Sequence, residues 1–191
     1  MKQDVTVHLD QYIGTVEIHR PPNNFFDHDL IKSLADIYMQ FDADPGCRAV
    51  VLCSEGKHFC AGANLESGQP GGAFQREHIK ALYDNALRLF RTTKPVVAAI
   101  QGGAIGGGLG LALSADFRVT CEEARFCANF ARLGFHQGFA LSVTLPRLIG
   151  LANAELMLLT GRRIDGKEAV RIGLADDLVP NHDTKERARR L

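Results

Sequence analysis

The sequence lacks an excess of charge, a long hydrophobic run and any paired cysteine motif. Its 22 Lys and Arg residues balance 22 Asp and Glu residues, so the formal net charge at pH 7 is zero. A neutral chain has no overall basic character with which to bind nucleic acid. The longest apolar runs, residues 95–100 and 109–113, are far shorter than the roughly 20 residues that cross a bilayer. We therefore expect neither a nucleic-acid partner nor a membrane partner.

The N-terminal residues and the cysteines are typical of a protein in a reducing compartment. Residues 1–4 (MKQD) lack the apolar core of a secretory signal peptide. The five cysteines form no CxxC motif, and an odd number cannot all pair within one chain. Because reduced thiols are typical of the cytoplasm, we expect a cytoplasmic protein, and no motif of the sequence predicts a metal site.

What the sequence does contain is the composition and periodicity of an α/β protein. Apolar residues make up 46% and charged residues 23% of the 191 positions, which predicts a folded globular chain and suits a single domain over residues 1–191. Strand-like alternation and helical periodicity follow each other along the chain, which predicts the α/β class. The predicted strands lie near residues 5–9, 12–19, 48–53, 95–100, 116–120 and 124–127. The predicted helices lie near residues 30–41, 74–90, 106–113, 141–149, 153–159 and 166–172.

Six of the 19 glycines fall within residues 102–110 (GGAIGGGLG), between a predicted strand and a predicted helix. A dinucleotide-binding loop would need G-x-G-x-x-G, but the sixth position counted from Gly106 is Leu111, and counted from Gly108 it is Leu113. The Gly-Lys-Ser/Thr ending of a phosphate-binding P-loop is also missing. The cluster therefore predicts neither of these nucleotide-binding loops.

The glycine cluster offers backbone amides instead. The first amides of a helix lack internal partners and carry partial positive charge, and one such donor stabilises a developing oxyanion by roughly 3 kcal/mol. A second small-residue turn, FCAGANL at residues 59–65, also exposes amides after a predicted strand. The alternative that stays open is that the glycines only allow close packing of helix on strand.

Taken together, these segments resemble the crotonase (enoyl-CoA hydratase/isomerase) superfamily. The resemblance rests on FCAGANL at residues 59–65, KPVVAAIQ at 94–101 and GGAIGGGLGLALSAD at 102–116, with further matches in HRP at 19–21, RAVVL at 48–52 and LPRLIG at 145–150. It implies a crotonase-like spiral of ββα units that assembles as a homotrimer or a dimer of trimers. It also implies an acyl-CoA substrate, in which CoA is part of the substrate and no separate cofactor is needed.

The resemblance also implies roles for individual residues. The thioester oxygen of the substrate would sit between the backbone amides of Ala63 and Gly107. The substrate and CoA contacts of the family fall on a second group of positions, namely Ala61, Asn64, Leu65, Gly106 and Phe130. An enolate carries its charge on the thioester oxygen, so two amides at a helix N-terminus suit this chemistry.

The sequence departs from the family at its acid positions. Hydratases of the family use two glutamates to activate water and to protonate the α-carbon, and the corresponding residues here are Gly110 and Phe130. Neither can transfer a proton, so hydration by paired glutamates is not expected. Dehalogenase-like members place an aspartate nucleophile at the position of Gly138, so that reaction is not expected either.

Other side chains are candidates for acid–base work. His136 falls in the segment that lines the acyl pocket in the family, and imidazole serves as acid or base near neutral pH. Tyr83 falls on the predicted helix before residue 94, where its hydroxyl could donate to substrate. Each has a structural alternative: His136 could be a helix-capping or hydrogen-bonded structural histidine, and Tyr83 could be a core tyrosine. Five phenylalanines predict an apolar or aromatic-tolerant acyl pocket: Phe25, Phe26, Phe130, Phe135 and Phe139.

The last residues of the sequence predict a helix. Residues 183–191 (DTKERARRL) read as the first turns of a helix. The resemblance implies further C-terminal helices that cover the acyl pocket, so we expect them to be missing or truncated here.

The sequence leaves two interpretations of the function open. The first interpretation is an active acyl-CoA enzyme, a lyase, isomerase or hydrolase with non-standard acid–base residues. The alternative is a non-catalytic CoA-thioester-binding or assembly subunit.

Overall fold

The structure is a computed structural model that describes residues 4–63 and 76–191, with the backbone alone for residues 76–78. Strands and helices alternate along these residues, as the periodicity predicts. In chain order they are β1 (Val5–Asp10), β2 (Ile13–Ile18), α1 (His28–Ala43), β3 (Ala49–Ser54), α2 (Arg76–Leu89), β4 (Val96–Ile100), β5 (Gly103–Ile105), α3 (Gly107–Ala112), β6 (Phe117–Thr120), β7 (Arg125–Cys127), α4 (Leu141–Thr160), β8 (Arg163–Asp165), α5 (Gly166–Arg171), β9 (Asp177–Leu178) and α6 (Thr184–Arg190). Short 3-10 helices cover Asn129–Leu133 and Asn181–Asp183.

The strands form two sheets. The larger sheet has the order β1-β2-β3-β4-β6-β9, and every neighbouring pair in it is parallel except the β1–β2 hairpin. The smaller sheet has the order β5-β7-β8. All five residues of β4 are buried, which is typical of a parallel strand covered on both faces.

Helix α1 shows how the local sequence sets one covering layer. The Asp27 carboxylate accepts a hydrogen bond of 2.9 Å from the Leu30 amide and so caps the helix. The buried stripe of the helix then faces the core, and its members are Leu30, Ile31, Leu34, Ala35, Tyr38 and Phe41. Helix α2 packs against α1.

The six predicted strands and the described parts of the predicted helices are confirmed. Strands β5, β8 and β9 were not predicted, because two or three residues are too few to show an alternating pattern. The predicted break between two helices at Gly150 lies inside α4, where φ of +74° interrupts the helical backbone. The C-terminal helix is present as α6, whereas Phe74, the predicted start of α2, lies outside the described residues.

Helix α4 is long and apolar enough to cross a membrane by length and composition alone, with a mean hydropathy of 1.2 over its most apolar window. It is nevertheless interrupted at Gly150 and contains Pro146. Its buried side chains belong to the main hydrophobic core. These features identify it as a packed helix of the α/β fold, and they give no independent support for a membrane span.

Candidate functional site

A cavity of about 260 Å³ opens where helix α2, the N-terminus of α3, the turn at residues 61–63 and the segment after β7 meet. Most of its lining is apolar, and much of that is aromatic. The lining residues are Phe26, Ala61, Gly62, Ala63, Ile79, Leu82, Tyr83, Ile105, Gly106, Gly107, Asn129, Phe130, Leu133, Phe135, His136 and Phe139.

Short hydrogen-bonded contacts join the two loops that carry the predicted oxyanion amides. The Cys60 amide donates to the Gly103 carbonyl at 2.9 Å, and the Ile105 amide donates back to the Cys60 carbonyl at 3.0 Å. This ladder runs along β5, which ends next to Gly106 at the start of α3. The pairing therefore brings the turn at residues 61–63 beside the N-terminus of α3.

Ala63 and Gly107 both line the cavity. Ala63 forms an isolated parallel bridge with Phe26, in which the Phe26 amide donates to the Gly62 carbonyl at 3.0 Å. Gly107 is the first residue of α3, so its amide has no carbonyl within the helix to reach. Among residues 4–63 and 76–191, no backbone acceptor for either amide is found. Their oxyanion role stays a prediction.

Glycine is required at several points of this wall. Gly106 has φ of +56°, which favours a residue without Cβ. A methyl group at Gly107 would come within 2.6 Å of Cε1 of Phe26, and one at Gly108 would overlap the Cys60 carbonyl group. Close packing therefore requires glycine at these positions, and the oxyanion interpretation of the cluster stays a prediction.

Tyr83 on α2 points its hydroxyl across the cavity wall at Gly138. A methyl group at Gly138 would overlap the Tyr83 hydroxyl oxygen and would lie 3.1 Å from both Cζ of Tyr83 and Cε1 of Phe130. Burial raises the pKa of Tyr83 above its ordinary value of 10.0. The hydroxyl therefore stays protonated and can donate a hydrogen bond into the cavity.

His136 lies at the exposed rim of the cavity. Its Nδ1 is 2.9 Å from the carbonyl oxygen of Gln137. A carbonyl can only accept, so Nδ1 carries the proton in this contact and Nε2 is left as an acceptor in the neutral ring. The predicted role of His136 as a base would therefore use Nε2, and this role stays a prediction.

Residues 9–191 match the enoyl-CoA hydratase/isomerase family. The chain belongs to this family. It is 33% identical over 175 residues to a probable enoyl-CoA hydratase of Bacillus subtilis, covering 89% of this chain and 67% of that protein. It is also 33% identical over 189 residues to a carnitinyl-CoA dehydratase of Proteus mirabilis, covering 97% of this chain and 72% of that one.

Solved structures support the same assignment. An enoyl-CoA hydratase from Bacillus anthracis superposes with a TM-score of 0.91 at 32% identity, covering 98% of this chain and 74% of that one. A putative enoyl-CoA hydratase/isomerase from Mycobacterium abscessus gives 0.87 at 33% identity, covering 97% and 74%. The superfamily resemblance and the crotonase-like α/β fold are confirmed, and at the family level the chain is an acyl-CoA-binding enzyme.

Seven of the nine predicted site residues line the one cavity of this enoyl-CoA hydratase/isomerase family member. They are Ala61, Ala63, Tyr83, Gly106, Gly107, Phe130 and His136. The other two, Asn64 and Leu65, lie outside the described residues. The roles given to all nine stay predictions. Of the five phenylalanines, Phe25 does not line the cavity and the other four do.

The unusual acid positions have a steric counterpart. A methyl group at Gly110 would overlap Cβ of Phe139 and would lie 2.7 Å from Cδ1 of its ring. A methyl group at Gly138 would likewise overlap the hydroxyl oxygen of Tyr83. In each case an aromatic side chain takes the space that a larger residue would need. Among the described residues that line the cavity, none is an aspartate or a glutamate.

Cys60 and Asp116 are structural rather than reactive, and one residue of the cavity wall, Asn129, was not predicted from the sequence. Burial raises the pKa of Cys60 to about 12, so its thiol is no nucleophile. Asp116 accepts a hydrogen bond of 2.8 Å from the Val96 amide, a structural role. Asn129 was not predicted, yet it is a polar side chain of the cavity wall beside Gly106. Its only sequence signal is its position just before Phe130, after β7.

Within the described residues, no group of three His, Cys, Asp or Glu could hold a metal ion.

Proposed function

We propose that this chain acts on an acyl-CoA thioester and stabilises the enolate or oxyanion of that thioester with the amides of Ala63 and Gly107. The observation that carries the proposal is that both residues line one apolar cavity and their amides have no backbone acceptor among the described residues. Each such donor contributes roughly 3 kcal/mol of transition-state stabilisation. The N-terminus of α3 adds partial positive charge at the same point.

Proton transfer in this proposal uses Tyr83 and His136. Nε2 of His136 takes a proton from the acyl chain, and the electron pair released moves onto the thioester oxygen. The Tyr83 hydroxyl, kept protonated by burial, donates a hydrogen bond to the bound acyl group. With Gly110 and Phe130 at the acid positions, the reaction differs from hydration by paired glutamates. The reaction class is then a lyase, isomerase or hydrolase reaction that shares the enolate or oxyanion site.

The proposal includes contacts to CoA from Ala61, Asn64, Leu65, Gly106 and Phe130. It also includes assembly as a homotrimer or dimer of trimers in the cytoplasm. Exposed apolar side chains of α4 support an assembly surface, and they include Val143, Leu148, Leu151, Leu156 and Leu159. The five cysteines are free and buried, which supports a reducing compartment. Light scattering coupled to size-exclusion chromatography tests the assembly.

The chemistry is tested by mass spectrometry of a library of acyl-CoA esters incubated with the protein. Release of CoA identifies a hydrolase, gain of water a hydratase, and a rearrangement without mass change an isomerase. We expect turnover to fall at least tenfold in His136→Gln and in Tyr83→Phe. The exposed His182, far from the cavity lining, gives the control His182→Gln, which should keep full activity.

The oxyanion site itself is tested by infrared spectroscopy of a bound saturated acyl-CoA with a ¹³C-labelled carbonyl. Two amide donors polarise the carbonyl, so its stretching frequency should fall on binding. Tyr83→Phe should keep a downward shift, because the two amides still donate to the carbonyl in this proposal. An unshifted carbonyl in the bound complex would contradict the assignment of Ala63 and Gly107.

A second function, CoA-thioester binding without chemistry, is favoured because no aspartate or glutamate is among the described residues of the cavity wall. It predicts that acyl-CoA raises the melting temperature while no member of the library is converted. The mass-spectrometric screen therefore separates the two functions.

A further inference from the structure

Phe139 occupies an unusual place in the cavity wall. Its side chain is 2% exposed and lies between the cavity and helix α3. Its ring meets the ring of Phe26 edge-on, with centroids 5.7 Å apart, and it also contacts Phe90 at 6.5 Å. Methyl groups at Gly107 and Gly110 would lie 3.5 Å and 2.7 Å from its ring carbons. The ring therefore covers one full turn of α3, beginning at the predicted oxyanion amide.

The backbone holds the Phe139 ring in this place at a conformational cost. Phe139 and Ala140 both have positive φ, +51° and +59°, in a region that side-chain-bearing residues rarely adopt. The turn is fixed from the next helix, because the Leu141 amide donates to the Gly138 carbonyl at 3.1 Å and the Thr144 amide donates to the Ala140 carbonyl at 2.9 Å. Strained backbone of this kind concentrates at functional sites.

We propose that Phe139 is a specificity-determining residue that closes the acyl cavity on the side of α3 and so limits the size of the acyl group. This rests on the proposed acyl-thioester binding, since the ring stands beside Gly107, where the thioester carbonyl would lie. Without the ring, the cavity would extend along α3 from Gly107 to Gly110. Three residues of helix span about 4.5 Å, which is room for roughly three methylene groups.

The test is a binding series of saturated straight-chain acyl-CoA esters, from acetyl to dodecanoyl, measured by calorimetry. With the wild type, affinity should rise about fourfold for each CH₂ until the cavity is full, and then level off. In Phe139→Gly, the chain length at which affinity levels off should increase by about three carbons. Esters of that length should then bind about 60-fold more tightly than to the wild type, while acetyl-CoA binding changes less than threefold. Glycine also suits the positive φ of this position.

Two other variants keep the test decisive. Phe139→Leu removes part of the ring and should move the levelling point by about one carbon, which serves if the glycine variant does not fold. Phe41→Leu is the matched control, because Phe41 packs against Gly14 in the core in the same way but lies outside the cavity wall. It should lower stability and leave the chain-length profile unchanged.

The outcomes separate this inference from the function on which it rests. If the wild type binds no ester of the series, the proposed function fails and the role of Phe139 fails with it. If the wild type binds and the levelling point stays the same in Phe139→Gly and Phe139→Leu, the specificity role alone is overturned. If the control Phe41→Leu shifts the profile equally, the effect is general destabilisation and the inference is also overturned.

Discussion

The contact between Gly110 and Phe139 predicts a strong energetic coupling between these two positions. Gly110→Ala would add a carbon that overlaps Cβ of Phe139 and approaches its ring to 2.7 Å. Overpacking of a tight core costs about 1–3 kcal/mol, against a gain of about 1 kcal/mol for replacing glycine by alanine in a helix. We therefore expect Gly110→Ala to change the free energy of unfolding by about 0–2 kcal/mol in the destabilising direction.

The same substitution should behave differently once the ring is gone. Phe139→Gly alone removes a packed aromatic side chain at a cost of about 3–5 kcal/mol, less about 1–3 kcal/mol of relieved backbone strain. In that background the alanine at position 110 meets no ring, and only its helix-forming gain of about 1 kcal/mol remains. The interaction energy between the two substitutions is then the overpacking cost itself, about 1–3 kcal/mol. Urea unfolding of the wild type, both single variants and the double variant measures it.

Gly108→Ala provides the control for this cycle. Its added methyl group would overlap the backbone carbonyl of Cys60, which does not depend on Phe139. Its cost should therefore be the same in the wild type and in Phe139→Gly. If the cost of Gly110→Ala is also the same in the wild type and in Phe139→Gly, with an interaction energy below about 0.5 kcal/mol, the packing described for Phe139 is wrong.

Three further predictions concern other parts of the fold. Asp27→Ala should cost about 1 kcal/mol in urea unfolding through loss of the helix cap. Burial acts to raise the pKa of Asp27, but the Leu30 amide and Arg20 outweigh it and the net shift is downward from 3.8. The difference should therefore be fully present above about pH 3.8 and be lost at lower pH, as the pH falls through the lowered pKa of the folded state. Arg118→Ala should lower the free energy of unfolding by about 3 kcal/mol or more. The reason is that Arg118 is 2% exposed and its loss leaves the Asp176 carboxylate without the guanidinium 2.9 Å away. An unchanged unfolding midpoint would contradict this. In a thiol titration the five buried cysteines should stay unreactive in the native protein at pH 8 and all react in denaturant, whereas fast labelling without denaturant would argue against their burial.

The sequence was most informative where a local rule determines the backbone. Asp27 caps α1, since an acidic side chain before an amphipathic stripe needs only the nearby amides. Gly150 and Gly161 mark helix interruption and helix end, because both take up positive φ. Ala63 and Gly107 line one cavity because the ladder between Cys60 and β5 joins their loops. That ladder was not predicted, but the family resemblance places both loops at one site.

Other parts of the site depend on tertiary packing that no local sequence pattern predicts. Neither Phe139 nor Ala140 is a residue that favours positive φ, so the turn that aims the Phe139 ring at α3 has no sequence signal. The contact of Tyr83 with Gly138 joins two elements more than 50 residues apart. Periodicity places Tyr83 on a helix face and cannot tell which distant glycine it will meet. Asn129 was missed for the same reason.

The glycine run of α3 now divides into two functions by position. Gly106 and Gly107 line the cavity, and their lack of side chains leaves the helix N-terminus open to a ligand. Gly108 and Gly110 do not line the cavity, and a methyl group there would overlap the Cys60 carbonyl or Phe139. Packing also constrains the first pair, because a methyl group would lie 2.8 Å from Oδ1 of Asn129 at Gly106 and 2.6 Å from Cε1 of Phe26 at Gly107. Substitutions at the second pair should lower stability first, whereas small substitutions at the first pair should weaken ligand binding more than their cost in stability explains. Packing thus applies along the whole run and the proposed oxyanion role to the first pair alone, and comparing stability with binding at each position distinguishes them.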